Sequence, residues 1–81
     1  MAGQLDAVYA NLALTLKAEG GSFQQVVMER IYTTDMDGLI KCQETRKRIY
    51  GSWLPAATWV EVRRLYGPEA MLEIEVELVV D

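Results

Sequence analysis

The 81-residue chain is long enough for one small domain, which we take to span residues 1–81. With 51% hydrophobic and 25% charged residues, it has the balance of a folded globular domain rather than a disordered one. Its net charge of −4 disfavours nucleic acid and anionic membrane surfaces as partners, since both repel an acidic protein.

The cysteine and histidine content excludes several kinds of site. Cys42 is the single cysteine and there is no histidine, so an internal disulfide, a histidine-ligated metal and a Ser-His-Asp arrangement are all ruled out within one chain. We therefore expect no metal and no cofactor. The N-terminal residues lack a basic, apolar leader, and no apolar run approaches the roughly 20 residues of a membrane span. These features predict a cytoplasmic protein.

The first half of the chain predicts a helix followed by a strand. Helical spacing over residues 4–19 predicts the first helix, which Gly20 and Gly21 end. The β-branched and aromatic residues of 26–33 predict a strand. The apolar positions of the helix are Leu5, Val8, Tyr9, Leu12 and Leu16.

A second helix is predicted from Asp35, as the N-cap, to Tyr50, with Gly51 ending it. On its apolar side Cys42 is predicted to be a small buried residue rather than a nucleophile. The helix also carries basic residues, interrupted by Glu44, that we interpret as a solvated face. They are Lys41, Arg46, Lys47 and Arg48.

Two strands are predicted in the second half, at residues 58–65 after Pro55 and at residues 71–80 after a turn. The last strand has the clearest alternation of the chain and predicts one core face and one solvent face. Its core positions are Leu72, Ile74, Val76, Leu78 and Val80, and its other positions are Glu73, Glu75, Glu77 and Val79.

The order αβαββ predicts an α+β, two-layer domain with a mixed sheet and two helices on one face. The first two strands are expected to pair in parallel through a right-handed crossover, and the last two as an antiparallel hairpin. We expect Trp59 and Val79 among the charges of the other face, which a second copy of the chain would cover.

Three ordered segments of the chain are Ile31 to Leu39, Pro55 to Val62 and Leu72 to Glu75. They resemble the strand-to-helix junction, the P-A-R-[ST]-x-V-E-V motif and the terminal I-E-I-E strand of the Rid/YjgF family. The resemblance implies a chorismate-mutase-like fold and a homotrimer with small-molecule clefts between subunits. It also implies an activity, since many members hydrolyse reactive enamines and imines such as 2-aminoacrylate.

Carried over by this resemblance, the glutamate that helps to position water falls on Glu73, and the carboxylate-binding motif arginine falls on Ala57. Alanine has no guanidinium, so the bidentate grip on a carboxylate is lost. Trp59 stands where deaminases usually carry a small residue. The strands that normally precede the first helix in the family are absent before Met1, so either the domain is shortened or that segment lies elsewhere. In both cases we expect an incomplete pocket.

The candidate site therefore has Glu73 as its catalytic residue. Its candidate ligand-binding residues are Ala57, Thr58, Trp59 and Arg63. Arg63 is a candidate replacement for the missing guanidinium, because we expect it to share a strand face with Ala57, Trp59 and Glu61. Alternatively it forms, with Arg64, cross-strand ion pairs to the glutamates of the last strand. We interpret Glu75 and Glu77 as part of a polar face. Either they pair with Arg63 and Arg64 across the hairpin, or they line a hydrated axis of the trimer.

Two functions remain open at this point. The favoured one is a trimeric module with an altered cleft, binding a small molecule or serving a structural role without standard deaminase activity. The alternative is an enamine/imine deaminase-like hydrolase that releases ammonia. A ribonuclease role is disfavoured by the acidic charge and the lack of histidine.

Overall fold

The chain folds as a three-stranded mixed sheet with helices packed on one face, in a computed structural model that describes residues 1–79. A short 3₁₀ turn at Phe23–Gln25 leads into the first strand. The elements in chain order are α1 (Ala2–Ala18), β1 (Val26–Thr33), α2 (Met36–Lys41), α3 (Gln43–Tyr50), β2 (Ala56–Glu61) and β3 (Leu72–Leu78). The predicted fold class is confirmed.

The strand order is β2-β1-β3, with β1 at the centre. The parallel pairing of β1 with β2 was predicted. The predicted hairpin between the last two strands is wrong, because β3 pairs antiparallel with β1 instead. Strand β2 ends at Glu61, four residues before the predicted end, and the connection of residues 62–71 is longer than a tight hairpin loop. It is long enough to pass the end of β1.

The helix-facing side of the sheet builds the core. In β1 the buried residues Glu29, Ile31 and Thr33 alternate with partly exposed ones, after an irregularity near Val27 resets the alternation. The core that the helices and the sheet share consists of Leu5, Tyr9, Leu16, Val26, Ile31, Leu39, Tyr50 and Leu72. The predicted alternation of the last strand is confirmed for residues 72–79, and Val80 lies outside the described residues.

Trp59 lies on the helix-facing side, not on the open face where we expected it. It pairs in register with the fully buried Ile31, and its side chain packs against the core. Because side chains alternate along a strand, Ala57 and Glu61 share this side with it. Val79 is 61% exposed, as predicted.

The predicted second helix is two helices, which meet at Cys42 with φ −102° and ψ 10°. Asp35 caps the first of them by accepting a hydrogen bond from the Gly38 backbone N–H at 3.0 Å, as predicted. Neither glycine nor proline marks the break, so sequence periodicity alone did not reveal it. Cys42 is half-buried against the core with a free thiol. None of the helices in residues 1–79 combines the length and the hydrophobic composition that a membrane span requires.

Candidate functional site

The five candidate residues occupy three separate places. Ala57 and Thr58 are exposed on the edge strand β2, and Trp59 is half-buried beside them. Glu73 is exposed on β3. Arg63 lies beyond the end of β2, so the expectation that it shares a strand face with Ala57 is wrong.

One chain does not bring Ala57 and Glu73 together. Ala57 pairs with the helix-facing Glu29, whereas Glu73 pairs with Tyr32 on the open face. Strand spacing and register separate Ala57 and Glu73 by about 10 Å across the sheet and about 10 Å along it. A site that uses both residues therefore needs a second copy of the chain.

A buried carboxylate lies directly across from Ala57. The Glu29 side chain is fully buried and accepts hydrogen bonds from the hydroxyl groups of Tyr9 at 2.8 Å and Tyr50 at 2.6 Å, both on Oε2. Its other oxygen accepts from Arg46 Nε at 2.5 Å. We call these four residues the Glu29 cluster. All three residues that donate to the Glu29 carboxylate lie in helices. The cluster therefore joins α1 and α3 to the sheet.

Arg46 does not belong to a solvated helix face, contrary to our interpretation. Its side chain is only 12% exposed, and its guanidinium stacks 5.3 Å from the Tyr50 ring centroid and 5.8 Å from that of Trp59. Nη2 also points to the Pro55 carbonyl oxygen at 3.4 Å, at the start of β2. The other three basic residues of the predicted face are exposed.

Burial raises the pKa of both Tyr9 and Tyr50 above the ordinary value for a phenol, and the adjacent Glu29 carboxylate raises it further. Removing a proton from either hydroxyl would place a second anion beside Glu29 with little water to solvate it. Both phenols are therefore held as neutral hydrogen-bond donors to the Glu29 carboxylate.

Since Arg46 is paired with Glu29, its guanidinium is not free to bind a ligand carboxylate near Ala57. Its donor Nε is occupied, and aromatic rings cover its face. An external anion at the Nη groups would meet a positive charge that the fully buried Glu29 carboxylate already offsets. The helix-facing side of β2 thus contains a guanidinium close to the motif position, but one whose charge is already neutralised.

On the open face, the cross-strand ion pairs use a different arginine from the one expected. Arg30 on β1 approaches Glu75 at 3.7 Å and Glu77 at 2.7 Å. Tyr32 donates to Glu75 at 2.9 Å. Arg63 and Arg64 do not make these pairs, because β3 lies beside β1 rather than β2.

Sequence reasoning missed Glu29, although a signal was present. Alternation along β1 places Glu29 on the same side as Ile31 and Thr33, so a charged residue stands at a core position. A buried carboxylate needs donors. No spacing rule could identify Tyr9, Arg46 and Tyr50 as those donors.

The mixed sheet with helices on one face agrees with the chorismate-mutase-like fold, which the solved structures described below support. The family model of endoribonuclease L-PSP matches residues 1–80 of this chain. The chain belongs to this family, also known as the Rid/YjgF family. A comparison with curated protein sequences gave no significant match.

Solved structures of three relatives share the fold. A YjgF-family member from Mycobacterium tuberculosis is 29% identical over 89% of this chain, with a TM-score of 0.83. A candidate endoribonuclease from Thermotoga maritima is 34% identical over 88%, with a TM-score of 0.80. A YjgF-family member from Neisseria meningitidis is 25% identical over 96%, with a TM-score of 0.81. The chain spans 61%, 55% and 66% of the lengths of these three proteins, respectively.

Proposed function

We propose that this chain forms a Rid/YjgF-type trimer with an altered intersubunit cleft, which binds a small molecule or has a structural role without standard deaminase activity. The observation that carries the proposal is the alanine at position 57, where the family motif has a carboxylate-binding arginine. The guanidinium of Arg46, which reaches the start of β2, cannot replace it because Glu29 neutralises it.

The binding free energy that is lost without the motif arginine favours a loss of deaminase chemistry. A hydrogen bond to a charged group contributes about 1.5–3 kcal/mol, so losing the arginine fork weakens carboxylate binding by roughly one to two powers of ten. The half-buried Trp59 ring, two residues along on the same side of the strand, also occupies space beside position 57.

The alternative function is an enamine/imine deaminase-like hydrolase, and Glu73 favours it. Glu73 is exposed on the open face, and no arginine or lysine of residues 1–79 lies within 4.0 Å of its carboxylate. It is thus available to orient water, provided that a neighbouring subunit supplies a cation for the substrate carboxylate.

Ammonia release from 2-aminoacrylate generated in situ distinguishes the two functions. We expect the wild-type chain to add little to the uncatalysed rate, and Ala57→Arg to raise that rate. Ala57→Gln, which adds bulk and hydrogen-bonding groups without charge, is the matched control. A robust wild-type rate that Glu73→Gln abolishes would refute the proposal and establish the hydrolase.

The solution mass of the chain tests the assembly, which both functions require. Because Ala57 and Glu73 lie on opposite sides of one sheet, a monomer at working concentration would remove the shared cleft. A trimer by light scattering is the expected result.

A further inference from the structure

We infer that the connection between β2 and β3, residues 62–71, forms a second binding site, for a small organic anion with a single negative charge. This inference is independent of the proposed function, since it needs only one chain and uses neither Ala57 nor Glu73. The site is a cavity of about 760 Å³ between the connection and the C-terminal end of β1. That volume lies within the range of small-molecule sites, about 300–1,000 Å³.

The cavity is a consequence of the strand order. Because β1 lies between β2 and β3, the connection must cross the end of the central strand, a distance of two strand spacings or about 10 Å. A two-residue hairpin would leave no such space. The strand order β2-β1-β3, which contradicts the predicted hairpin, therefore also creates the cavity.

The walls of the cavity are held at both ends. At the β2 end, the Val62 N–H donates to the Thr33 carbonyl at 2.8 Å. At the β3 end, the Met71 carbonyl accepts from the Thr34 N–H at 3.0 Å and from the Thr33 hydroxyl at 2.8 Å. These bonds tie the connection to the last residues of β1.

Helix α1 holds the β3 end as well. The Gln4 side chain accepts from the Met71 N–H at 2.7 Å and donates to the Glu69 carbonyl at 3.0 Å. One amide thus bridges two backbone groups of the connection. Contacts that fix a loop in advance reduce the ordering cost of binding a ligand.

Two consecutive arginines provide the positive charge. Arg63 and Arg64 both line the cavity, and a neighbouring hollow of about 380 Å³ is lined by them alone. No carboxylate of residues 1–79 lies within 4.0 Å of either guanidinium. By contrast, Arg30 and Arg46 are both paired with glutamates. In a chain with net charge −4, two exposed guanidinium groups without a carboxylate are available for an anion.

The lining also sets the charge and shape of the ligand. Glu69 is the acidic residue among the lining residues, so with two arginines it leaves one net positive charge, which matches a monoanion better than a dianion. The rest is mostly apolar, and Tyr66 is fully exposed, so its ring is free to contact an apolar or aromatic body. The apolar lining residues are Leu65, Pro68, Ala70 and Met71.

Three ligands with the same ring and different charge test the inference by ¹⁵N chemical-shift titration of the intact chain. Phenylacetate is the monoanion, phenyl phosphate is mainly a dianion at neutral pH, and phenylacetamide is uncharged. We expect phenylacetate to shift amides of residues 62–71 and to bind more tightly than the other two. Equal binding of phenylacetamide, tighter binding of phenyl phosphate, or no shift in this segment would overturn the inference.

Variants separate this site from general attraction to positive charge. Arg63→Gln and Arg64→Gln change exposed side chains, so they leave the fold intact, and each is expected to weaken phenylacetate binding about tenfold. Arg48→Gln is the matched control, because Arg48 is exposed on α3 and donates to Thr45 rather than to a carboxylate. Equal weakening in the control, or none in the Arg63 and Arg64 variants, would contradict the site.

Discussion

Arg46 and Glu29, 17 residues apart in the chain, form an ion pair at 2.5 Å in which the glutamate side chain is fully buried and the arginine 12% exposed. Two tyrosine hydroxyl groups donate to the remaining carboxylate oxygen, and two aromatic rings lie against the guanidinium. Helices α1 and α3 are therefore attached to β1 through one acidic side chain as well as through apolar contacts.

Glu29→Gln is expected to destabilise the fold strongly. The amide would keep the shape of the side chain but leave the Arg46 charge buried without its partner, which costs about 3–5 kcal/mol. A domain of this length has about 4–12 kcal/mol of stability in total. Urea unfolding followed by circular dichroism should show a large fall in the midpoint.

The control for this prediction is Glu44→Gln, which removes an exposed pair with Lys47 on α3. A surface pair of this kind contributes less than about 1 kcal/mol, so its midpoint should barely move. Similar shifts in the two variants would contradict the structural role of the buried pair.

Stability should fall at alkaline pH because of Tyr9 and Tyr50. Their pKa values are raised in the folded chain, whereas in the unfolded chain they lie near 10. Below about pH 10 both states keep these protons and the stabilisation is complete. Above it the unfolded state releases protons that the folded state retains, so stability falls by up to about 1.4 kcal/mol per pH unit for each tyrosine.

Urea unfolding from about pH 8 to about pH 11 measures this slope. Tyr9→Phe and Tyr50→Phe should each lower stability at neutral pH, because the Glu29 oxygen loses a donor, and each should flatten the alkaline decline. An alkaline slope identical in wild type and both variants would show that other groups cause it.

Gly51→Ala should destabilise the end of α3. Gly51 has φ 63° and ψ −131°, a conformation that an L-residue with a Cβ rarely adopts, and the strain is expected to cost about 1–3 kcal/mol. Thermal unfolding should show a fall of several degrees in Tm.

Gly3→Ala provides the opposite case for comparison. Gly3 lies in α1 with open space around the position of a Cβ, so alanine should raise stability by up to about 1 kcal/mol. If Gly51→Ala were equally stabilising, Gly51 would not have the positive φ described for the end of α3.

The fold and part of the candidate site could be predicted from sequence. Segment Val26–Thr33 agrees with the predicted first strand, and the alternation from Leu72 to Leu78 correctly separated core from solvent. These patterns are local, since one stretch of chain carries the whole periodicity. The motif around Ala57 likewise identified the family and the missing arginine without any coordinates.

The sequence by itself thus determined the fold class, the first strand, the alternating faces of the last strand, the family and the presence of alanine at the motif arginine position, residue 57. Only the tertiary structure decided which strand β3 joins, that Arg46 is buried against Glu29, and that Arg63 and Arg64 line a cavity. The reason is physical. Strand order and side-chain partners depend on the competition among distant surfaces for burial, and no local pattern encodes the outcome of that competition.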